Sequence, residues 1–241
     1  ASVGDFIRLY VTRNERWGSP KFLVGESYGT TRACGLSGYL QDAYGMYLNG
    51  ITLVSSVLNF EYIDFHKGNE LPYVLFLPTY ATTAQYHHKL SAELEALPPE
   101  QLAKKAETFA EGTYNYFLFL GDKAPGYLTN EVVDSLSYFT GLSKEYIRSA
   151  NERVTDGRFF KQLLRDESKT IGRYDSRYTG EDEDDAGEGA SYDPSYSALS
   201  GLFNGVFNEY VRKDLGFKSD LQYEALTNVW PWNFGQAVNS Y

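Results

Sequence analysis

The chain has 241 residues, and its 22 Lys and Arg against 32 Asp and Glu give a formal net charge of −10. With no basic stripe or tail, this balance argues against binding to nucleic acid or to an anionic membrane. The single Cys34 rules out an intrachain disulfide framework, and no run approaches the roughly 20 apolar residues of a membrane span.

The length suits one or two domains with a substantial core. Val3, Phe6, Ile7, Tyr10 and Val11 recur at helical spacing, which predicts an amphipathic helix from Ser2 to Asn14. A turn at Trp17–Pro20 leads into Phe22-Leu-Val24, a short buried strand. After Gly25–Gly29, the stretch Thr30 to Tyr44 is helix-compatible, with Ala33, Leu36 and Leu40 on one side and Cys34 as a small core residue. Asn49-Gly50 introduces Ile51 to Ser55, a second strand that reads as fully buried. Strand, helix and strand make a βαβ unit with parallel strands and a right-handed crossover. Two parallel strands are a remnant of a larger sheet, so their apolar faces are expected to be hidden by self-association or by rearranged helices.

From Asp64 onward the strand signals fade. Leu71 to Tyr80 is apolar and aromatic but broken by Pro72 and Pro78, and Ala81 to Ala96 reads as helical. Pro98-Pro99-Glu100 opens a helix with Leu102, Ala106, Phe109 and Ala110 on its apolar face. Further helices are predicted near Asn130–Phe139, with Gly141 as its stop, Ser143–Ala150 and Arg158–Arg165. Thr170 to Pro194 is poor in apolar residues and carries Glu181-Asp-Glu-Asp-Asp185 plus Glu188. Such a like-charge block reads as a solvated mobile loop, and it does not match the alternating ligands of a calcium site. Leu199, Leu202, Phe203, Val206, Phe207, Tyr210 and Val211 then share one helical face, ended by Gly216. Trp230-Pro-Trp-Asn-Phe234 is an aromatic cluster that suits either core packing or a substrate wall.

The pattern that points to chemistry is Gly25-Glu-Ser-Tyr-Gly29, a G-x-S-x-G sequence between a short strand and a helix. In a nucleophile elbow the serine sits on a sharp strand-to-helix turn, with glycines two before and two after leaving room for that turn. Ser27 is therefore the candidate nucleophile. An α/β-hydrolase needs its acid and histidine later in the chain than the serine, and nothing after His88 can be that base. His66 lies in a polar loop. His87 and His88 are helix neighbours pointing about 100° apart, so they cannot chelate one metal. No metal or cofactor is expected.

Phe22-Leu-Val-Gly-Glu-Ser-Tyr-Gly29 resembles the serine carboxypeptidases, whose nucleophile site carries Gly-Glu-Ser-Tyr. Thr30-Thr-Arg32, Leu48-Asn-Gly-Ile51, Leu77-Pro-Thr-Tyr80, Tyr86-His87, Gly172–Arg177 and Trp232-Asn-Phe234 are similar to segments of the bacterial branch of that family. The resemblance implies an incomplete α/β-hydrolase core over residues 1–63. A largely helical cap follows over 64–228, with a flexible acidic loop at about 172–194, and then a return toward the core over 229–241. It implies that Ser27 forms the acyl-enzyme, that the Tyr28 N–H is one oxyanion donor, and that Glu26 binds the free C-terminal carboxylate of a peptide. Arg32 reads as a structural anchor. The family's glycine-rich oxyanion loop, catalytic Asp and late His have no counterpart in the chain. The chain is thus expected to be an inactive piece of a serine-type carboxypeptidase from a secreted or periplasmic parent. An esterase or acyltransferase on the same scaffold, or a non-catalytic helical interaction module, are the other readings.

Overall fold

Gly4, Ile7 and Val11 recur along one face of helix α1 (Ser2–Arg13), and that face packs inward. The structure is a computed structural model describing residues 2–221 and Tyr223 of a mixed α/β chain; the aromatic cluster at Trp230–Phe234 lies outside the described residues. The chain divides into two compact units, whose described parts are residues 2–61 and the residues from Tyr62 onward.

In the first unit α1 is followed by strand β1 (Phe22–Glu26), helix α2 (Tyr28–Tyr44) and strand β2 (Gly50–Val54). A Cβ at Gly4 would stand 2.6 Å from the Tyr39 ring, so the missing side chain lets α1 lie close against α2. Val11, Leu40 and Met46 form the buried centre, with Ile7, Leu36 and Leu48 around them. Gly45 ends α2 in the left-handed region (φ 60°), and Met46 N–H then reaches back to the Leu40 carbonyl at 3.0 Å. The Tyr44 hydroxyl donates to Asp5, and that bond holds its pKa up at about 12.

β1 and β2 pair in parallel, from Phe22 opposite Gly50 to Glu26 opposite Val54. Asn49 fixes this register, since its N–H donates to the Lys21 carbonyl (2.7 Å) while its side-chain oxygen accepts the Lys21 N–H (2.8 Å). The strands are not buried as their apolar runs predict. Phe22 and Val24 are 67% and 73% exposed, and Ile51 and Val54 are also exposed. The physical reason is that an apolar run signals a strand covered on both faces, whereas each of these strands has one paired neighbour among the described residues. Cys34 also departs from expectation: Ala33 and Leu40 turn inward, and Cys34 is exposed.

The second unit is mainly helical. Leu71–Tyr86 is one continuous helix, α3, in place of the expected break followed by a helix over Ala81–Ala96. Pro72 falls in its first turn, where a missing N–H costs no intrahelical bond, so only Pro78 removes one. Tyr73, Val74, Leu77, Tyr80, Ala81 and Ala84 are all buried along one broad face, and this burial offsets the loss, while Leu71, Leu75 and Tyr86 on the other side are exposed. α4 (Ala92–Glu95) is separate, and α5 (Pro99–Phe109) begins at the predicted Pro-Pro step. The helix widens over Ala110–Tyr114, where Asn115 N–H bonds the carbonyl five residues back, and continues as α6 (Asn115–Leu120). α7 (Gly126–Thr140) ends at Gly141 (φ 70°), as the sequence predicts. α8 (Lys144–Ser149) and α9 (Asp156–Gln162) follow, capped by the Ser143 and Thr155 hydroxyls.

The acidic stretch is not a free solvated loop. Lys169–Ile171 (β3) and Thr179–Glu181 (β4) pair as a small antiparallel hairpin, and Thr170 and Ile171 are buried. Asp182 and Lys161 form an ion pair at 2.6 Å in which each side chain is only 3% exposed. Burial raises the Asp182 carboxyl, but the Lys161 ammonium, the hydroxyl and N–H of Ser191 and the N–H of Glu183 hold it well below the usual carboxylate range. Lys161 also donates to the Asp184 carbonyl, and Arg165 to the carbonyls of Asp185 and Gly187. Composition could not reveal this docking because the partner cations lie on α9 and in the turn after it, about 20 residues upstream.

α10 (Pro194–Glu209) is capped by Asp193, whose carboxylate accepts from Ser195 and Tyr196 N–H groups. Its predicted apolar stripe exists, yet Leu202, Phe203, Val206, Phe207 and Tyr210 are exposed. Gly216 (φ 66°) lies beyond its end.

Replacing Asp182 by Asn leaves the Lys161 ammonium buried without a counter-charge, which should cost about 3–5 kcal/mol in urea unfolding. A Lys161→Met/Asp182→Leu double variant should lose much less. Because the Asp182 pKa is depressed in the folded state, its contribution is fully present above its unfolded value of about 3.9 and is lost as pH falls below that. The urea midpoint of the native chain should therefore drop between about pH 4 and pH 2, and Asp182→Asn should remove that component of the slope.

Candidate functional site

Phe22, Leu23 and Val24 carry the chain along β1, and at Ser27 it turns into α2 within one residue. Ser27 has φ 52° and ψ −122°, a conformation rarely adopted by a side-chain-bearing residue and costing on the order of 1–3 kcal/mol. Several bonds hold it there. Ser27 N–H donates to the Val54 carbonyl of β2 at 3.0 Å. The Ser27 carbonyl accepts the Thr30 N–H (2.9 Å) and the Thr30 hydroxyl (2.7 Å). Thr30 is fully buried, and its hydroxyl oxygen also accepts the Val57 N–H at 2.8 Å. The Thr31 hydroxyl donates to the Val57 carbonyl. The segment after β2 is thus pinned to the first turn of α2, and the turn at Ser27 is braced from both sides.

The two glycines of the motif play unequal parts. A Cβ at Gly25 would stand 2.2 Å from the Gly29 carbonyl oxygen, so glycine is required there for β1 and α2 to pass. A Cβ at Gly29 would meet open space, contrary to the symmetric expectation.

Ser27 stands at the cap position of α2, but its side chain makes no capping bond and is exposed. Glu26, the last residue of β1, is exposed and makes no hydrogen bond or ion pair among the described residues. Tyr28 opens α2, so its backbone N–H belongs to the first turn, which has no intrahelical acceptor. Its ring lies 6.0 Å from that of Phe60, and the Arg32 guanidinium stands 5.5 Å from its centre. The Tyr28 hydroxyl is buried without a partner among the described residues. Arg32 is exposed, and its observed contact is with this ring. One backbone turn thus brings Glu26, Ser27 and the Tyr28 N–H together.

The three histidines belong to the second unit, and each has its own partner there. His66 Nδ1 is 3.2 Å from the Asp64 carboxylate, His87 Nε2 is 2.6 Å from the Ser176 carbonyl, and His88 Nδ1 is 3.2 Å from Glu95. His87 and His88 are not helix neighbours as expected: α3 stops at Tyr86, and His88 has φ 55°. Among the described residues no cluster of three or more His, Cys, Asp or Glu is arranged to hold a metal ion, the acidic block included.

The contribution of Thr30 was not legible in the sequence. A buried threonine hydroxyl that joins the turn to Val57 leaves no periodic or motif signal. No protein family matches the chain, and neither curated proteins nor solved structures include a significant match to it.

Gly25→Ala should destabilise the first unit by about 1–3 kcal/mol, because the added methyl must displace backbone. Gly29→Ala, in open helical space, should be neutral or stabilise by up to about 1 kcal/mol. Urea unfolding of the two variants side by side measures the difference.

Proposed function

We propose that Ser27 is the nucleophile of a serine-type carboxypeptidase and that the strand–turn–helix segment around it is a nucleophile elbow. The observation that carries this reading is the left-handed backbone of Ser27, braced by Val54 and Thr30 while its own hydroxyl stays exposed and uncommitted. A serine spent on capping or on core packing would not support it. The close pass at Gly25 and the likeness of Gly25–Gly29 to the serine carboxypeptidase motif support it further.

In this reading the Ser27 Oγ attacks the carbonyl carbon of the last peptide bond, and its proton passes to a general base. The oxyanion accepts the Tyr28 N–H, aided by the positive end of α2. The carbon–nitrogen bond then breaks, the base returns the proton to the leaving amine, and water releases the acyl group from Ser27. Glu26 receives the free carboxylate of the departing residue by sharing a proton with it, which two carboxyl groups need in order to attract one another. In the serine carboxypeptidases the base lies late in the chain, beyond the cap, and no histidine follows His88 here, so the base of this mechanism is none of His66, His87 and His88. The 241-residue chain by itself is therefore assigned no turnover.

Two measurements test the assignment. Offered blocked dipeptides from pH 4 to pH 8, the 241-residue chain should turn over no faster than its Ser27→Ala variant. In a protein where this segment is joined by its base, Ser27→Ala should remove acyl-enzyme formation on every substrate. Glu26→Gln there should raise KM about tenfold for free-acid peptides and little for amidated ones. Equal losses on both substrate types would make Glu26 a prop of the turn and overturn the carboxypeptidase assignment.

A further inference from the structure

Between α8 and α9 lies a concavity of about 260 Å³, lined by Tyr146, Ser149, Arg158, Gln162, Arg165 and residues 186–188. The two guanidinium groups in it are in different states. Arg165 is held in place, its terminal nitrogens donating to the carbonyls of Asp185 and Gly187, while its Nε is buried with no partner among the described residues. Arg158 makes one bond among the described residues, from Nη2 to the Glu188 carboxylate at 3.1 Å. The Glu188 side chain is 81% exposed, so solvent screens this pair and it is easily exchanged. The Tyr146 hydroxyl, half-buried, feels the same charges: burial raises its pKa, Arg158 and Arg165 lower it, and Glu188 raises it. It has no hydrogen-bond partner among the described residues.

We propose that this concavity is a binding site for a small monocarboxylate and that Glu188 occupies it as a resident competitor. An incoming carboxylate takes Arg158 Nη2 in place of Glu188 and accepts a second bond from the Tyr146 hydroxyl. The resident group is itself a carboxylate on that guanidinium, which sets the ligand chemistry. The concavity lies just below the roughly 300–1,000 Å³ of drug-sized pockets, which sets a small size. Glu188 lines the concavity and the acidic block runs alongside, and their negative charge favours a singly charged ligand over a multiply charged anion. The site involves no residue of the Ser27 turn and stands apart from the peptidase assignment.

The test titrates the 241-residue chain with N-acetylalanine, N-acetylalaninamide and inorganic phosphate, followed by amide chemical shifts. The acid should bind, the amide should not, and phosphate should bind more weakly than the acid. Glu188→Gln removes the competitor and should tighten acid binding about fivefold. Arg158→Gln added to it should abolish binding with the melting temperature largely retained. Should that double variant fail to fold, Tyr146→Phe in the Glu188→Gln background should weaken the acid about threefold. Equal affinity of Glu188→Gln and the native chain, equal binding of acid and amide, tighter binding of phosphate, or an unchanged Tyr146→Phe titration would each overturn the proposal.

Discussion

The first unit depends on how closely β1 and the start of α2 pass at Gly25. With no Cβ there, the Gly29 carbonyl can lie where a side chain would stand, and the chain must reverse direction within a single residue. That residue is Ser27, and its unfavourable φ follows from the tightness of the pass. Stabilisation has to come from outside the turn, through the Val54 carbonyl of β2 and the buried hydroxyl of Thr30. The Ser27 side chain at this turn is exposed, and the Tyr28 N–H that follows it lies in the first turn of α2.

The second unit is held by ordinary apolar burial joined to a set of compensated charges. Tyr80 stacks on Phe159 at 4.1 Å, linking α3 to α9, and Tyr114 donates its buried hydroxyl to the Glu152 carbonyl. Arg153 and Glu70 form a forked ion pair beside them. α9 faces the core with Phe159 and meets the acidic stretch with Arg158 and Lys161, and Arg165 in the turn just after it adds a third cation. One short helix thus serves as core element and cationic clasp, using the helical period to separate the two tasks.

Periodic features were the most legible in the sequence. The Leu102–Ala106 face of α5, the Gly141 stop of α7 and the parallel pairing of β1 with β2 all follow from spacing and local chemistry. Features decided by distant partners were not. Pro78 reads as a breaker, yet burial of one broad face of α3 outweighs one missing hydrogen bond. Asp182 reads as solvated because its counter-charge is 21 residues away. Ile51 and Val54 read as buried because apolar strand runs carry no record of how many neighbours flank them. At the candidate site Ser27, Glu26 and Tyr28 were legible as a motif, whereas the bracing by Thr30 and Val57 and the asymmetry of the two glycines required geometry.

The depth of Lys161 has a consequence for the chemistry of the chain's amines. Lys104 and Lys105 on α5 project into solvent and are open to acylation, whereas the Lys161 ammonium lies beneath the acidic stretch and bonds to Asp182 and the Asp184 carbonyl. A reagent has to reach an amine in order to acylate it, and the Lys161 side chain is only 3% exposed. Reagents that map lysine reactivity will pass over Lys161 while the stretch is docked and modify it when the stretch lifts. Once modified, the uncharged nitrogen can no longer neutralise Asp182, so a single acylation event would act as a one-way latch on the opened form.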